Sequence, residues 1–381
     1  MTTTSVDKLL EQLEALSTSP PQDKALQQRL YDAAKKLSTA VETPLDTVYR
    51  VIYSIFSTLV EKGAPCTINE LAKPSGADVV FTARILRYLA SHGIITQKSG
   101  EVFESNRLTE ALCADGHRAG MNHMFHIHAP GILKAPEFFK ANKYQNPENM
   151  TETPFQIAHN TDRPAFEWAH INRPDLTAEF GLWMTAMRGQ KTWLDVIDFD
   201  TLLAGTSTNA ETPIFVDVGG GIGSQCALFK SRLPNLPGRV ILQELPVVIE
   251  HALVTEGVEN TSHDFWLEQP VQGARAYYLR TILHDYPDAQ CLEILRKTVD
   301  AMGPESFILI DDIIMPDIGA HSRATEMDFL MMTTLASMER TAKQWDDLLN
   351  TAGLQLLQRV TYLDDTAESI QVIVPKGRKP N

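Results

Sequence analysis

Three glycines at alternate positions follow an apolar run in the second half of the chain. Residues 213–218 are rich in isoleucine, phenylalanine and valine, which is typical of a buried strand, and Asp217 stands near its end. Gly219, Gly221 and Gly223 come next, before a helical segment begins. Glycine accepts positive φ angles and lets backbone N–H groups approach a ligand closely. The pattern predicts a ligand-binding turn between a strand and a helix.

Acidic and aromatic residues stand at the ends of the next two predicted strands. Glu244 ends the second strand, where a carboxylate can accept hydrogen bonds from both hydroxyls of a ribose. Asp264 and Phe265 follow a further strand-like segment, where they could accept an adenine amino group and pack on its ring. Counted from Gly221, the third small residue of the dinucleotide fingerprint would be Cys226, so the match to that fingerprint is imperfect. A nucleotide ligand is predicted, and a dinucleotide stays open on these features.

A histidine lies just past another predicted strand. Residues 276–279 form the strand and His284 follows within a few positions. Ligands of open parallel sheets bind beyond the carboxyl ends of the strands. His284 is therefore a candidate for acid–base chemistry on a molecule bound there.

Alternating strands and helices must position these residues. The segment 191–381 alternates between the two periodicities, which favours a doubly wound α/β sheet that is mostly parallel. The predicted strands are 214–218, 240–242, 276–279, 307–310 and 369–374, and the predicted helices are 224–233, 289–301 and 343–352.

The first half of the chain has a different pattern of apolar and polar residues. Residues 1–112 read as helices followed by a winged-helix pattern, with a capping box at Thr67 and Glu70 and a hairpin across residues 94–104. The segment 113–190 is rich in methionine, histidine and aromatic residues, as walls of apolar pockets often are. An apolar stripe in the first helix requires a cover, for which a partner subunit is a candidate. Its residues are Leu9, Leu10, Leu13 and Leu16.

Composition excludes several classes of function. The 381 residues carry 34 basic and 48 acidic side chains, a net charge of −14, which argues against a nucleic-acid partner. Four dispersed cysteines are typical of a cytoplasmic protein with reduced thiols, and no secretory signal or membrane-spanning run is predicted. His126 and His128 are two positions apart and do not share a helical face, so no metal site is expected there.

The motifs together resemble the plant- and fungal-type S-adenosylmethionine-dependent O-methyltransferases, the caffeate and flavonoid type. The matching strings are VDVGGG (216–221), ELP (244–246), LHDYPD (283–288), DIIMP (312–316) and ERT (339–341), in family order and spacing. The resemblance implies a Rossmann-like methyltransferase domain with an N-terminal helical, winged-helix-like dimerisation domain. It also implies S-adenosylmethionine as cofactor, S-adenosylhomocysteine as product and a homodimer.

The resemblance also implies roles for individual residues. His284 would be the general base that takes a proton from a hydroxyl of a small-molecule acceptor, in an imidazole form that is largely neutral at neutral pH. Asp312 and Glu339 would flank it, Asp312 with a longer contact because the family usually has glutamate there. Arg280 falls where the family often has a lysine that contacts the methionine end of the cofactor. The implied acceptor-binding residues are Phe180, Met184, Met331 and Asp285.

Two other functions stay open at this point. Some fungal members of this fold catalyse dehydrations or pericyclic reactions, with the bound sulfonium acting as a positive charge. Compared with relatives, the chain also looks shorter by about one helix between the N-terminal helices and the winged helix. That shortening motivates a third hypothesis, a non-catalytic subunit that forms a heterodimer with a related enzyme.

Overall fold

The structure, a computed structural model, describes residues 44–186, 191–203 and 208–378, together with scattered positions between residues 8 and 37. The chain forms two units, residues 1–114 and 115–381. No helix within the described ranges is both long and apolar enough to cross a membrane.

The N-terminal unit contains the predicted winged-helix elements. The capping box is formed, because Glu70 N–H donates to Thr67 Oγ1 while the Glu70 carboxylate accepts from Thr67 N–H. Gly93 ends the following helix with a φ of +70°. The elements are α1 Pro44–Lys62, β1 Cys66–Thr67, α2 Ile68–Ser75, α3 Val79–Ser91, β2 Thr96–Gln97, β3 Val102–Glu104 and α4 Arg107–Cys113, with the strands antiparallel in the order β1-β3-β2.

The described positions of the N-terminal stripe are helical, as predicted, and its leucines face outward in the single chain. Leu9 is 41% exposed and Leu10 is 51% exposed, and Leu16 is exposed as well. Leu26 and Leu37 further along are also exposed. Apolar side chains repeated at helical spacing need a cover that this chain does not supply at these positions.

Helices open the second unit and lead to its sheet. Met124–His128 is a π-helix, a short wide turn that proteins often place at functional sites, and Trp193–Asp195 is a 3₁₀ turn. The α-helices are α5 Asp115–His123, α6 Ala129–Ala141, α7 Pro154–His159, α8 Ala165–Asn172, α9 Pro174–Ala186 and α10 Phe199–Leu203.

The sheet of the second unit has seven strands in the order β6-β5-β4-β7-β8-β10-β9. The first five are parallel, and β10 runs antiparallel between β8 and β9. The strands are β4 Pro213–Val218, β5 Arg239–Glu244, β6 Val258–Ser262, β7 Ala276–Arg280, β8 Phe307–Ile313, β9 Leu354–Leu363 and β10 Glu368–Pro375. The helices around it are α11 Ser224–Arg232, α12 Pro246–Ile249, α13 Asp288–Ala301, α14 Ser322–Leu335 and α15 Ala342–Thr351, with a 3₁₀ turn at Leu283–Asp285.

Both faces of the sheet are covered by apolar clusters, which confirms the predicted α/β class. Trp345 and Ile294 lie at the centre of one cluster, and Trp193 and Phe229 at the centre of the other. The chain passes from β4 to β5 on one side and returns to β7 on the other, which makes the ends of β4 and β7 the switch point of the sheet. The glycine turn follows β4 and His284 follows β7, so the two predicted motifs meet at this crevice.

Candidate active site

The glycine turn after β4 has the predicted backbone conformation. Gly219, Gly221 and Gly223 have φ angles of +69°, +59° and +84°. The N–H groups of Gly219 and Gly220 donate to the Gln243 carbonyl at 2.8 and 3.2 Å, which ties the turn to the end of β5. A Cβ atom added at Gly221 would meet nothing within 4 Å, so the turn borders open space there. A ligand can therefore lie directly on the backbone at Gly221.

Glu244 is held against this turn. Its carboxylate accepts from the N–H of Gly221 at 3.2 Å and from that of Leu245 at 2.7 Å. Burial raises the pKa of Glu244, and these two backbone hydrogen bonds partly oppose that effect. Asp264 accepts from the N–H of Trp266 at 3.0 Å, and the Phe265 ring lies beside Gly219. The sequence-predicted nucleotide residues are thus brought to one edge of the sheet.

A cavity of about 230 Å³ lies at the N-terminus of α11, where partial positive charge favours an anion. Arg280, the predicted contact of the cofactor's methionine end, borders it. Sequence reasoning missed the other lining residues, because only the fold brings the 191–192 segment to β7 and β10. These residues are Lys191, Thr192, Ser224, Gln225, Leu228 and Glu368.

Arg280 has partners that the sequence did not reveal. Its Nη1 donates to Asp311 Oδ2 and to the Tyr362 hydroxyl, both at 2.6 Å, and its Nη2 donates to Glu368 Oε1 at 3.1 Å. Burial alone would lower the pKa of Arg280, but Asp311, Tyr278, Tyr362 and Glu368 together outweigh burial and raise that pKa. The residue therefore joins β7, β8, β9 and β10 as well as bordering the cavity.

His284 is buried at 8% exposure and paired with Glu339. Its Nδ1 lies 2.8 Å from Glu339 Oε1, and its Nε2 lies 3.4 Å from Asp285 Oδ1. A carboxylate at Nδ1 fixes the tautomer that leaves Nε2 free to accept a proton. The structure places Glu339 beside His284, as the resemblance implies, and it also brings Asp285, an implied acceptor-binding residue, to Nε2.

The surroundings of His284 shift its pKa away from the ordinary value on which the expected neutral state rests. Burial alone would lower its pKa, but the charges of Glu339 and Asp285 outweigh burial and raise the pKa of His284 to about 10. Burial raises the pKa of Asp285 to about 6, although the charge of His284 opposes it. The raised pKa favours the imidazolium form of His284 at neutral pH in the protein without cofactor.

Asp312 differs from its predicted role. Its carboxyl is buried at 1% exposure and neither oxygen has a hydrogen-bond partner among the described residues, so it does not orient His284 by a hydrogen bond. Burial raises the pKa of Asp312 well above its usual range, which favours the protonated form. Asp312 still contributes to the charge environment that raises the pKa of His284. Glu339 supplies the hydrogen bond at Nδ1 and is itself positioned by a hydrogen bond from its N–H to Asp328 Oδ1 at 2.8 Å.

Two residues that the sequence did not single out hold the backbone around His284. Arg340, buried at 1% exposure, donates to the carbonyls of Leu283 at 2.9 Å and Tyr286 at 2.8 Å. Ser337 Oγ lies within hydrogen-bond reach of the carbonyls of His284 and Tyr286. The segment 337–340 therefore fixes the 3₁₀ turn from which His284 projects.

We expect Arg340→Met to lower the free energy of unfolding by about 2–4 kcal/mol, because two buried carbonyls lose their donor. Arg340→Lys keeps the charge but loses the planar fork, and we expect a smaller loss. Chemical denaturation measures both effects. The exposed Arg323→Met is the matched control, and equal stability of Arg340→Met and this control would contradict the assignment.

Three of the four predicted acceptor-pocket residues lie on two helices of the second unit, and the fourth, Asp285, lies in the 3₁₀ turn beside His284. Phe180 and Met184 are on α9, and Met331 is on α14, where it is buried at 5% exposure in an apolar cluster. Phe166 packs on that cluster and its ring centroid lies 6.1 Å from that of Phe180, which connects the two helices. Among the described residues, no group of three or more histidine, cysteine or acidic side chains is arranged to hold a metal ion.

Comparison with known proteins decides the family. The family model of the O-methyltransferase domain matches residues 164–355, and that of the O-methyltransferase dimerisation domain matches residues 48–115. The O-methyltransferase lepI of Aspergillus flavus is 37% identical over 378 residues, which cover 95% of this chain and 96% of the relative. The chain belongs to the S-adenosylmethionine-dependent O-methyltransferases. These matches confirm the predicted family, the Rossmann-like fold with its dimerisation domain, and S-adenosylmethionine as cofactor.

The O-methyltransferase relatives are fungal enzymes of secondary metabolism and their solved structures match over the full length. The demethylsterigmatocystin 6-O-methyltransferase of Aspergillus parasiticus is 34% identical over 346 residues, covering 91% of this chain and 89% of the relative. LepI in complex with S-adenosylhomocysteine and a substrate analogue has a TM-score of 0.81 at 35% identity, with 98% of each chain covered. A further neighbour, described as a pericyclic reaction enzyme, has the same TM-score at 34% identity, covering 98% of this chain and all of that one.

The length match corrects one expectation. The chain covers 98% of the LepI chain in that complex, so it is not shortened by a helix relative to this neighbour. Within the described residues, α1 runs without a break from Pro44 to Lys62 and leads into the winged helix.

Proposed function

We propose that this O-methyltransferase methylates a phenolic or enolic hydroxyl of a fungal-type secondary metabolite, with His284 as general base. The observation that carries the proposal is the buried His284–Glu339 pair, 2.8 Å apart, at the switch point that also holds the glycine turn. Bound S-adenosylmethionine supplies an electrophilic methyl on a cationic sulfur. Nε2 of His284 accepts the acceptor's hydroxyl proton as its oxygen bonds to the methyl carbon, and the breaking C–S bond leaves its electron pair on sulfur. Glu339 stabilises the resulting imidazolium.

The residues present fit this cofactor. Open space above Gly221, the Glu244 carboxylate beside it and the Phe265 ring suit the adenosine portion. The methionine carboxylate would lie in the cavity at the start of α11, near Lys191 and Arg280. Asp264 is proposed to accept from the adenine amino group, and Asp217 to support the turn from the end of β4.

We expect Glu244→Ala to weaken binding of both S-adenosylmethionine and S-adenosylhomocysteine by about 10–100-fold, because a carboxylate accepting two ribose hydroxyls is lost. The two cofactors share the ribose, so their affinities should fall alike. Calorimetric titration measures the effect, with the exposed Glu250→Ala as control. Unchanged affinity for both cofactors in Glu244→Ala would remove the ribose assignment.

A second candidate function is catalysis of a dehydration or pericyclic reaction with the cofactor bound but not consumed. The similarity to a pericyclic reaction enzyme favours it, and so does the raised pKa of His284, since an imidazolium can serve as an acid. S-adenosylhomocysteine formed in step with product supports methyl transfer. Product formed without it supports the second function.

We also propose that the enzyme is a homodimer whose partner covers the exposed N-terminal leucines. The dimerisation-domain match at residues 48–115 and the exposure of Leu9, Leu10 and Leu16 support this. Light scattering of the purified chain should give about twice its 42.5 kDa mass. A monomer that is inactive alone would favour the heterodimer with a related chain, although the full-length match to LepI removes the original reason for that hypothesis.

A further inference from the structure

A buried histidine stands at the junction of α5 and the π-helix. His123 is 7% exposed, and its Nδ1 is buried without a hydrogen-bond partner among the described residues. The ring is enclosed by aromatic neighbours, with centroid distances of 5.1 Å to Phe180, 5.0 Å to Trp183 and 5.2 Å to His128. Buried polar atoms are nearly always hydrogen-bonded, so an orphaned one is a candidate for a hydrogen bond with a bound ligand or water.

Neighbouring histidines do not share this feature. His128 Nδ1 lies 2.9 Å from Thr334 Oγ1, and His159 Nε2 lies 3.2 Å from the Ile127 carbonyl. Both are therefore satisfied within the protein. Burial lowers the pKa of His123 well below its usual value, so its imidazole is neutral and carries one donor and one acceptor nitrogen. It differs from His284, whose pKa the neighbouring carboxylates raise.

The surroundings of His123 adjoin both halves of the active site. On α9, a Cβ atom added at Gly181 would come within 2.9 Å of Ile222 in the glycine turn, so the helix that carries Phe180 and Trp183 packs directly on that turn. On the other side, α14 accepts the hydrogen bond from Glu339 through Asp328 and contacts His128 through Thr334. The His123 ring thus lies among the helices between the cofactor turn and the support of His284.

We propose that His123 is a specificity-determining residue that hydrogen-bonds a second oxygen of the acceptor, a carbonyl or hydroxyl other than the one that is methylated. The acceptor class is then a planar aromatic or enone molecule with at least two oxygens, whose ring packs on Phe180 and Trp183. This inference rests on the proposed function, since it takes the molecule between these helices to be the acceptor.

Stability gives a first test that needs no acceptor. His123→Phe replaces an unsatisfied buried ring by an apolar one of similar size among aromatic neighbours, so we expect the melting temperature to rise by about 2 °C or more. His128→Phe breaks the contact with Thr334 and should lower it. A fall in His123→Phe as large as that in His128→Phe would show that His123 is a structural core residue and would overturn the proposal.

Binding gives the second test. The full-length protein is saturated with S-adenosylhomocysteine and titrated with naphthol and with the isomeric dihydroxynaphthalenes as probes. We expect at least one dihydroxy isomer to bind about tenfold more tightly than naphthol, and this preference to vanish in His123→Phe but to persist in His117→Phe, an exposed position on the same helix. A preference that survives in His123→Phe, or wild-type protein that does not distinguish the probes, would overturn the proposal.

The same titrations separate this proposal from the proposed function. They use the product form of the cofactor, so they report recognition of the acceptor whether or not a methyl group is transferred. If the His123-dependent preference is present but no probe yields S-adenosylhomocysteine from S-adenosylmethionine, the methyl-transfer proposal fails and the role of His123 stands. If methyl transfer occurs without a His123-dependent preference, the methyl-transfer proposal stands and the proposed role of His123 fails.

Discussion

His284→Ala is expected to lower kcat for methyl transfer by about 10²–10⁴-fold while leaving the affinity for S-adenosylmethionine within a few-fold of wild type. The base accepts a proton only as the new C–O bond forms, and none of its hydrogen bonds reaches the glycine turn or Glu244. The loss should therefore appear in kcat and not in cofactor binding. Single-turnover kinetics and calorimetric titration measure the two quantities.

Removing His284 also leaves the buried Glu339 without its partner, so stability has to be controlled. His284→Gln keeps an amide near Glu339 but cannot take up the proton, and it should lose turnover to a similar extent. His251→Ala, an exposed histidine of the same unit, should keep wild-type activity. Methyl transfer at wild-type rate in folded His284→Gln would contradict the assignment of the base.

The second large effect is a dependence of cofactor binding on pH. The carboxylates of Glu339 and Asp285 raise the pKa of His284 to about 10, so the protein without cofactor holds this proton at neutral pH. Two positive charges about 6 Å apart repel by about 2–3 kcal/mol at an effective dielectric constant of about 20, which is about two pKa units, so a sulfonium bound beside His284 would lower the pKa of its imidazole. Binding S-adenosylmethionine then releases this proton between about pH 8 and 10, where the complex holds the neutral base that the reaction needs.

The sign of the effect follows from linkage. The free protein binds the proton more tightly than the complex does, so low pH opposes binding of S-adenosylmethionine. The affinity for S-adenosylmethionine should therefore rise up to about tenfold per pH unit between about pH 8 and 10. The sulfur of S-adenosylhomocysteine carries no charge, so its affinity should change much less. Titration in buffers of different ionisation enthalpy should show a proton released with the first ligand only.

Glu339→Gln provides the matched variant for this effect. It keeps the size of the side chain and removes the charge that raises the pKa of His284, so burial should then lower that pKa. The imidazole becomes neutral near neutral pH, and S-adenosylmethionine binding should lose most of its pH dependence. An unchanged pH dependence in this variant would show that His284 does not carry the linked proton.

Much of the crevice could be predicted because its signals are local. Gly219 and Gly221 follow a buried strand directly, and Glu244 and His284 follow strands whose periodicity is clear, so one sheet rule places them at the same edge. The predicted helix boundaries in the second half agree with those of the structure, because the residues that begin and end a helix are also local signals. For example, α13 begins directly after Pro287, at a residue that neighbours the predicted start.

The rest depends on contacts between distant segments. The charge of His284 could not be predicted, because burial and two carboxylates, one of them 55 residues away, set its pKa. The same holds for Arg280, whose partners lie on three other strands, and for Arg340, which binds carbonyls more than 50 residues away. Asp312 was expected to flank His284 with a longer contact, and the structure shows it influencing the pKa of His284 while neither of its oxygens has a hydrogen-bond partner among the described residues.

The most direct test of the account is the fate of the methyl group. The purified enzyme is incubated with trideuteromethyl-labelled S-adenosylmethionine and a panel of phenolic and enolic acceptors, and products are analysed by mass spectrometry. The account predicts a product that carries the intact trideuteromethyl group on oxygen, with one S-adenosylhomocysteine formed per product and neither formed by His284→Gln. Turnover of an acceptor to an unlabelled product, with S-adenosylmethionine left intact, would contradict it.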